Sequence, residues 1–178
     1  MLLPYRALHP SLSPTAWVAP TAAVIGEVAL GDDSSVWFNT TVRGDVNYIR
    51  IGKRTNIQDN SCVHVTRVTH PTLIGSDVTI GHSVTLHGCV LEDACFIGMG
   101  ATILDGAVVE TGAMVAAGAL VTPGKRVKAG EVWGGSPAKC LRPMTEAEKE
   151  FILVSAQNYV RLAAEYRTYQ PERNVDVL

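Results

Sequence analysis

Aliphatic residues recur every six positions along most of this chain. Val18, Val24, Leu30, Val36 and Val42 form one series, and Ile51, Ile57 and Val63 form a second, displaced by three residues. A third runs through Ile74, Ile80 and Leu86. After one five-residue step, a fourth carries Leu91, Ile97, Ile103, Val109, Val115, Val121 and Val127. Neither the helical period of about 3.6 nor the strand period of two yields six over such a length. A prism-shaped parallel β-helix does, with one short strand on each of three sides per coil. Eighteen residues then make a coil, and the aliphatic positions stack into a narrow interior shared by successive coils. Gly26, Gly31, Gly52, Gly75, Gly81, Gly98, Gly106, Gly112 and Gly118 recur near the repeat positions, as expected where the backbone bends sharply. A β-sandwich also uses glycine-rich turns, but it would not hold one phase from residue 91 to residue 127.

The period stops at about residue 133, which divides the chain into a β-helix over 1–133, a connector over 134–144, an amphipathic helix over 145–169 packed on the β-helix, and a tail over 170–178. Thr145-Glu146-Ala147-Glu148 has the form of a capping box opening that helix. Ile152, Ala156, Tyr159, Ala163 and Tyr166 give it one apolar stripe, and Pro171 stands just past its expected end. The expected class is therefore all-β with a C-terminal helix.

Composition narrows the function classes. With 178 residues, 47% hydrophobic and 18% charged, the chain suits one packed domain. No apolar run approaches the ~18 to 20 residues of a bilayer span. A net charge of −2, with scattered Lys and Arg, offers no basic face, so neither nucleic acid nor a membrane is an expected partner. Residues 1–10 lack a secretory pattern, which points to the cytoplasm. Cys62, Cys89, Cys95 and Cys140 form no CxxC pair and read as small packed thiols in a reducing compartment, thiolate ligation by Cys62 or Cys89 being the lesser alternative.

The histidines carry the chemistry. His64 follows the core residue Val63, and His87 follows Leu86, twenty-three residues on. That interval is one coil plus five residues, and the surplus falls in Val65-Thr66-Arg67-Val68-Thr69-His70-Pro71, which should bulge out as a loop. The two rings then stack on adjacent coils, ~4.8 Å apart, a separation that two nitrogens ~2.0 to 2.1 Å from one zinc fit. His82 lies on a different side of the coil from His87, so a third ligand from that position is most economically supplied by a neighbouring chain, which predicts a symmetric trimer with a site at each interface. Three histidines leave a fourth tetrahedral position for water, as in catalytic zinc sites. Isolated histidines are usually surface or hydrogen-bonded residues, and His9 and His70 are read that way.

Ser35-Val36-Trp37-Phe38-Asn39, Arg43-Gly44-Asp45, Asn56-Ile57-Gln58-Asp59, His64, His82 and His87 together resemble the γ-class carbonic anhydrase family, in its branch of small bacterial hexapeptide-repeat proteins. The resemblance covers residues 14–166. It implies a left-handed β-helix and a homotrimer, with His64 and His87 from one chain and His82 from the next. It implies that Gln58 and Asn56 hydrogen-bond the metal's water or orient substrate, and that Arg43, Asp45 and Asp59 form a charged network at the subunit interface. An arginine among carboxylates can equally be adhesive only. Tyr159 matches a helix position that faces the site in the family's archetype, and core packing explains it as well.

The implied reaction is reversible hydration of CO2 to bicarbonate by a zinc-bound hydroxide, since zinc lowers the pKa of its water toward about 7. Iron or cobalt would suit imidazole ligands too. Fast members carry a glutamate where this chain has Val46 and another on a loop where it has only 65–70, so turnover should be slow unless His70 serves as shuttle. Two other classes stay open. Hexapeptide-repeat acyltransferases and acyl-CoA thioesterases are similar, and Gly135-Ser136-Pro137-Ala138-Lys139 resembles the transferase connector. A non-catalytic trimer stapled by metal is the third reading.

Overall fold

The computed structural model describes residues 1–168, so the expected helix end at Tyr169 and the tail over 170–178 lie outside the described residues. Most strands of the repeat are two residues long. In Phe96–Ile97, Thr102–Ile103, Val108–Val109, Met114–Val115 and Leu120–Val121 the first residue is partly exposed and the second buried. Successive side chains of a strand point to opposite faces, so each short strand places one aliphatic group inward and one outward.

Parallel pairing one coil apart builds three inner ladders. Val36, Ile57, Ile80, Ile97 and Val115 stack on one side. Val42, Val63, Leu86, Ile103 and Val121 stack on the second, and Ile51, Ile74, Leu91, Val109 and Val127 on the third. Nearly all of these side chains are fully buried. Smaller residues fill the corners between ladders. Cys89 and Cys95 occupy positions that the next coil gives to Ala107 and Ala113, and all four are inaccessible. Burial pushes both thiols up to about 12, and Cys89 is sealed within the core. Cys62 and Cys140 are exposed, because they stand on outward positions of their strands, and so depart from the expected burial.

The glycines do two jobs. Gly106 has φ +69, in the turn position that Asn39, Asn60 and Asp77 fill in earlier coils. Gly52 has no such φ; a Cβ there would lie 2.5 Å from the carbonyl carbon of Gly75, so that glycine lets two coils approach closely rather than making a bend.

Two insertions break the eighteen-residue register, and a one-residue shortening follows them, where Leu91 pairs with Ile74 and Leu86 with Ile103 at an interval of seventeen. Along Ala23–Leu30 and Thr41–Ile51, Gly26 pairs with Gly44 but Val28 pairs with Ile49, so the three-residue displacement is taken up as a bulge around Asp45 to Asn47. The second is the loop after His64, closed by a bridge between Thr66 and His70. Val65, expected within the bulge, is instead buried in the core, so the excursion starts one residue later.

The C-terminal segment returns along the side that carries Asn56 and Thr79. Lys139–Pro143 pairs antiparallel with Glu131–Gly134. The helix Glu146–Thr168 follows, opened by the reciprocal pair in which Glu148 N donates to Thr145 Oγ1 (3.3 Å) and Thr145 N donates to Glu148 Oε2 (2.9 Å). Ile152, Ala156 and Ala163 are buried against the coils. Tyr159 and Tyr166 meet Trp37 edge-on at centroid distances of 5.2 and 5.4 Å, which ties the helix to the first coils. No helix among the described residues is long and apolar enough to cross a membrane.

Candidate metal centre

Strand register brings the first two histidines together. Cys62–His64 and Thr85–His87 pair in parallel with His64 beside His87, because the loop absorbs the surplus residues between them. The rings are 5.1 Å apart between centroids, and His64 Nδ1 lies 3.1 Å from His87 Nε2.

Each ring's other nitrogen is held by a carboxylate. Asp45 Oδ1 lies 3.0 Å from His64 Nε2, and Asp105 Oδ1 lies 2.6 Å from His87 Nδ1. An ionised carboxylate only accepts hydrogen bonds, so those nitrogens carry the ring protons. In the neutral rings the facing nitrogens then both present lone pairs. Two acceptors this close are reconciled by a proton or a cation between them, and two nitrogens on one tetrahedral zinc would stand about 3.3 Å apart. The donor set thus fits a divalent cation.

The carboxylates fit that arrangement. Burial pushes the Asp45 carboxyl up, but the hydrogen bonds from His64 and Arg43 outweigh it and its pKa lies below the ordinary value. Arg43 Nη1, from the strand just before the bulge, lies 2.5 Å from Asp45 Oδ2. Asp105 likewise ends below the ordinary range, burial being outweighed by Thr66 and His87. Asp105 and Thr66 did not emerge as candidates from the sequence. Counting alone would have missed Asp105, because the coil after His87 is one residue short: Leu86 pairs with Ile103, which leaves Asp105 one position past the register partner of His87.

His82 is placed elsewhere. It stands at the turn after Thr79–Ile80, with its Nδ1 2.9 Å from Asp59 Oδ2, leaving Nε2 turned away from that carboxylate, and its side chain is 40% exposed. Among the described residues, no three His, Cys, Asp or Glu side chains of the single chain converge on a metal position.

Gln58, His82 and Tyr159 line one cavity of about 410 Å³, whose other walls include Phe96, Met99, Met114 and Phe151. Asn56 is buried behind Gln58. It accepts from Gln58 Nε2 (3.1 Å) and donates to Thr79 Oγ1 (3.1 Å), and Thr79 in turn donates to Ser155 Oγ of the helix (3.1 Å). Burial, with the charge of Asp59 adding to it, raises the Tyr159 phenol above its ordinary value. The candidates therefore fall into two groups on one chain. Arg43, Asp45, His64 and His87 form the first, and Asn56, Gln58, Asp59, His82 and Tyr159 the second. Val46 packs against the core. His70 is partly buried over the Gly88 and Gly106 turns.

No family model matches the chain. Gamma carbonic anhydrase 1, mitochondrial, of Arabidopsis thaliana is 56% identical over 159 residues, covering 86% of this chain and 58% of that protein. The chain thus spans less than two thirds of that relative. Protein YrdA of Escherichia coli is 44% identical over 172 residues, covering 93% of this chain and 94% of YrdA. Among solved structures, a hexapeptide transferase family protein from Anaplasma phagocytophilum matches with TM-score 0.90 and 49% identity over 93% of this chain and 98% of that one. A putative acetyltransferase of Bacillus cereus matches with TM-score 0.93 and 37% identity over 96% and 98%. Repeat, histidine register and relatives agree: the chain belongs to the γ-class carbonic anhydrase-like family of hexapeptide-repeat proteins, which fold as left-handed parallel β-helices.

Proposed function

We propose that the protein is a metal-dependent carbonic anhydrase-like enzyme that hydrates CO2 reversibly at sites shared between the chains of a homotrimer. The observation that carries this is the pair of facing nitrogens 3.1 Å apart on His64 and His87, each ring backed by its own carboxylate. His82, with its Nδ1 likewise on a carboxylate, supplies the matching third nitrogen from the next chain. The apolar surface beside it, including Met99 at 59% exposure, suits apposition by a second copy. Zinc, iron and cobalt all suit such a ligand set.

When bound, a divalent cation supplies the Lewis acidity that makes water a nucleophile near neutral pH. The chain's own residues do the rest. Gln58, fixed by Asn56, presents its amide to the small substrate from the cavity wall that also carries His82. Asp59 holds His82, and Arg43 holds Asp45 against His64. Phe96, Met99 and Phe151 give the same cavity apolar walls. No glutamate stands at the bulge, where Val46 is turned to the core, so proton export limits turnover. The free thiols, two of them exposed, suit a reducing compartment such as the cytoplasm. The transferase names of structural relatives keep acyl transfer as the rival reading, and it has no use for paired metal-facing imidazoles.

Subunit mixing tests the shared site. His82→Ala and the double variant His64→Ala/His87→Ala should each lose metal and CO2 hydration. Unfolded and refolded together in equal amounts, they should regain about a quarter of the sites, the fraction in which an intact pair meets an intact His82. Full metal retention by His82→Ala, or no recovery on mixing, would overturn the arrangement.

A further inference from the structure

The excursion after His64 carries no acidic residue, yet it is built around one hydroxyl. Thr66 Oγ1 donates to Asp105 Oδ2 at 2.6 Å, across thirty-nine residues of chain. The other oxygen of that carboxylate, Oδ1, faces His87 Nδ1 at 2.6 Å. One carboxylate orientation satisfies both contacts.

Thr66 is itself fixed. Its backbone N donates to His70 O at 2.9 Å, and its carbonyl accepts from Asn47 Nδ2 at 3.0 Å, so the three-residue bulge and the loop meet at this residue. The base of the loop is closed by Thr72, whose hydroxyl donates to His64 O at 2.5 Å and accepts from Gly88 N at 3.0 Å. Space for the carboxylate is left by Gly88, where a Cβ would lie 2.6 Å from Asp105 Oδ1. His70 packs over the Gly88 turn, its own Cβ 2.8 Å from where a Gly88 Cβ would lie.

We propose that Asp105, latched by Thr66, is the positioning residue for His87. It holds the ring proton on Nδ1 and so commits Nε2 to the metal, which gives the inserted loop an orienting role. Outer carboxylates of this kind typically change metal affinity by about 10- to 100-fold when removed. This inference rests on the proposed metal reading only for its affinity arm.

The test has two arms. In metal-free wild-type protein, nitrogen NMR of the histidine rings should show His87 protonated on Nδ1. A proton on Nε2 would overturn the proposal whether or not metal binds. In the second arm, Co2+ affinity is measured by competition with a chelator in the assembled protein. Asp105→Ala should bind about 10- to 100-fold more weakly, Thr66→Val should fall between it and wild type, and Asp105→Asn should largely restore affinity because its amide oxygen accepts the same hydrogen bond. Wild-type affinity in both Asp105→Ala and Thr66→Val would overturn the latch. His64→Ala serves as reference: if it binds Co2+ as wild type does, the metal reading itself fails, while the NMR arm still decides the latch. Should Asp105→Ala not fold, Thr66→Val and the ring tautomer carry the decision.

Discussion

The stack has a regular part and an interrupted part, and every histidine of the candidate site lies in the second. From Leu91 to Val127 the inward residue recurs every six positions, without a histidine. Between Arg43 and Leu91 the register slips three times, at the Asp45 bulge, at the loop closed by Thr66 and His70, and at the five-residue step from Leu86 to Leu91. In an uninterrupted coil each outward side chain meets the one a coil above and the one a coil below, and nothing more distant. Insertions relax that limit. The bulge lifts Asp45 onto His64, and the loop carries Thr66 past the coil of His87 to reach Asp105. Regular coils supply stability and spacing, while the inserted residues supply cross-coil contacts on which ring orientation depends.

The largest effect should come from the regular part. Leu91 is 1% exposed between Ile74 and Val109, on the side of the prism away from His64 and His87. Leu91→Ala should lower unfolding stability by roughly 2–5 kcal/mol through lost burial and a residual cavity. Metal bound per folded chain should stay at the wild-type level. Denaturant unfolding and metal analysis of the folded fraction check the two halves of this expectation. Loss of metal from protein that is still folded would mean that the regular coils position the site directly.

An intermediate effect of the opposite kind is expected at the bulge. Asp45→Ala removes the acceptor on His64 Nε2 and the partner of Arg43, whose side chain is 42% exposed. Arg43 can turn to solvent, but Asp45 is only 14% exposed and its loss leaves the largely buried His64 Nε2–H without an acceptor, so stability should fall by about 1–3 kcal/mol. Metal affinity should fall by about 10- to 100-fold, read by chelator competition. A large loss of stability with unchanged affinity would reverse the assignment and make the bulge a structural element.

How far this division could be read from residues alone follows from the same contrast. A six-residue period specifies which side chains point inward, so the β-helix, the pairing of His64 with His87 and the separate placement of His82 all follow from counting. The phase shifts also announce that something is inserted. They do not say where the inserted residues go, because a bulge or loop obeys no period. Asp45 was legible as a candidate but not as the partner of His64, and Thr66 was not legible at all. Asp105 was hidden for a related reason: the coil after His87 is one residue short, so the register partner of His87 is Leu104 and Asp105 stands one position further on. The cluster of Trp17, Trp37, Phe38, Tyr159 and Tyr166 escapes counting for another reason: it joins the first coils to a helix more than a hundred residues later.

The smallest effect should come from the helix cap, which lies outside both parts and so tests whether they are separable from the rest. Glu148 accepts from Thr145 and is forked by Arg142 at 2.8 Å through both guanidinium nitrogens. The hydrogen bonds from Arg142, then those from Thr145, lower its carboxyl from 4.5 to about 2. A carboxyl with a depressed folded-state pKa stabilises the fold fully above its unfolded value and ceases to do so as pH falls through the folded one. Its contribution should therefore disappear between about pH 4.5 and 2. Glu148→Gln should lose that component and flatten the stability profile in this window relative to wild type, as thermal melts at pH 7 and pH 3 would show. Thr145→Ala, which removes the other half of the cap, should cost about 1 kcal/mol at neutral pH. Neither change should alter metal affinity at neutral pH. The helix does reach the site through Tyr159, which shares the cavity with His82 and Gln58. If affinity moved together with the cap, the helix would have to be counted with the interrupted coils, as a third device holding the ligands in register.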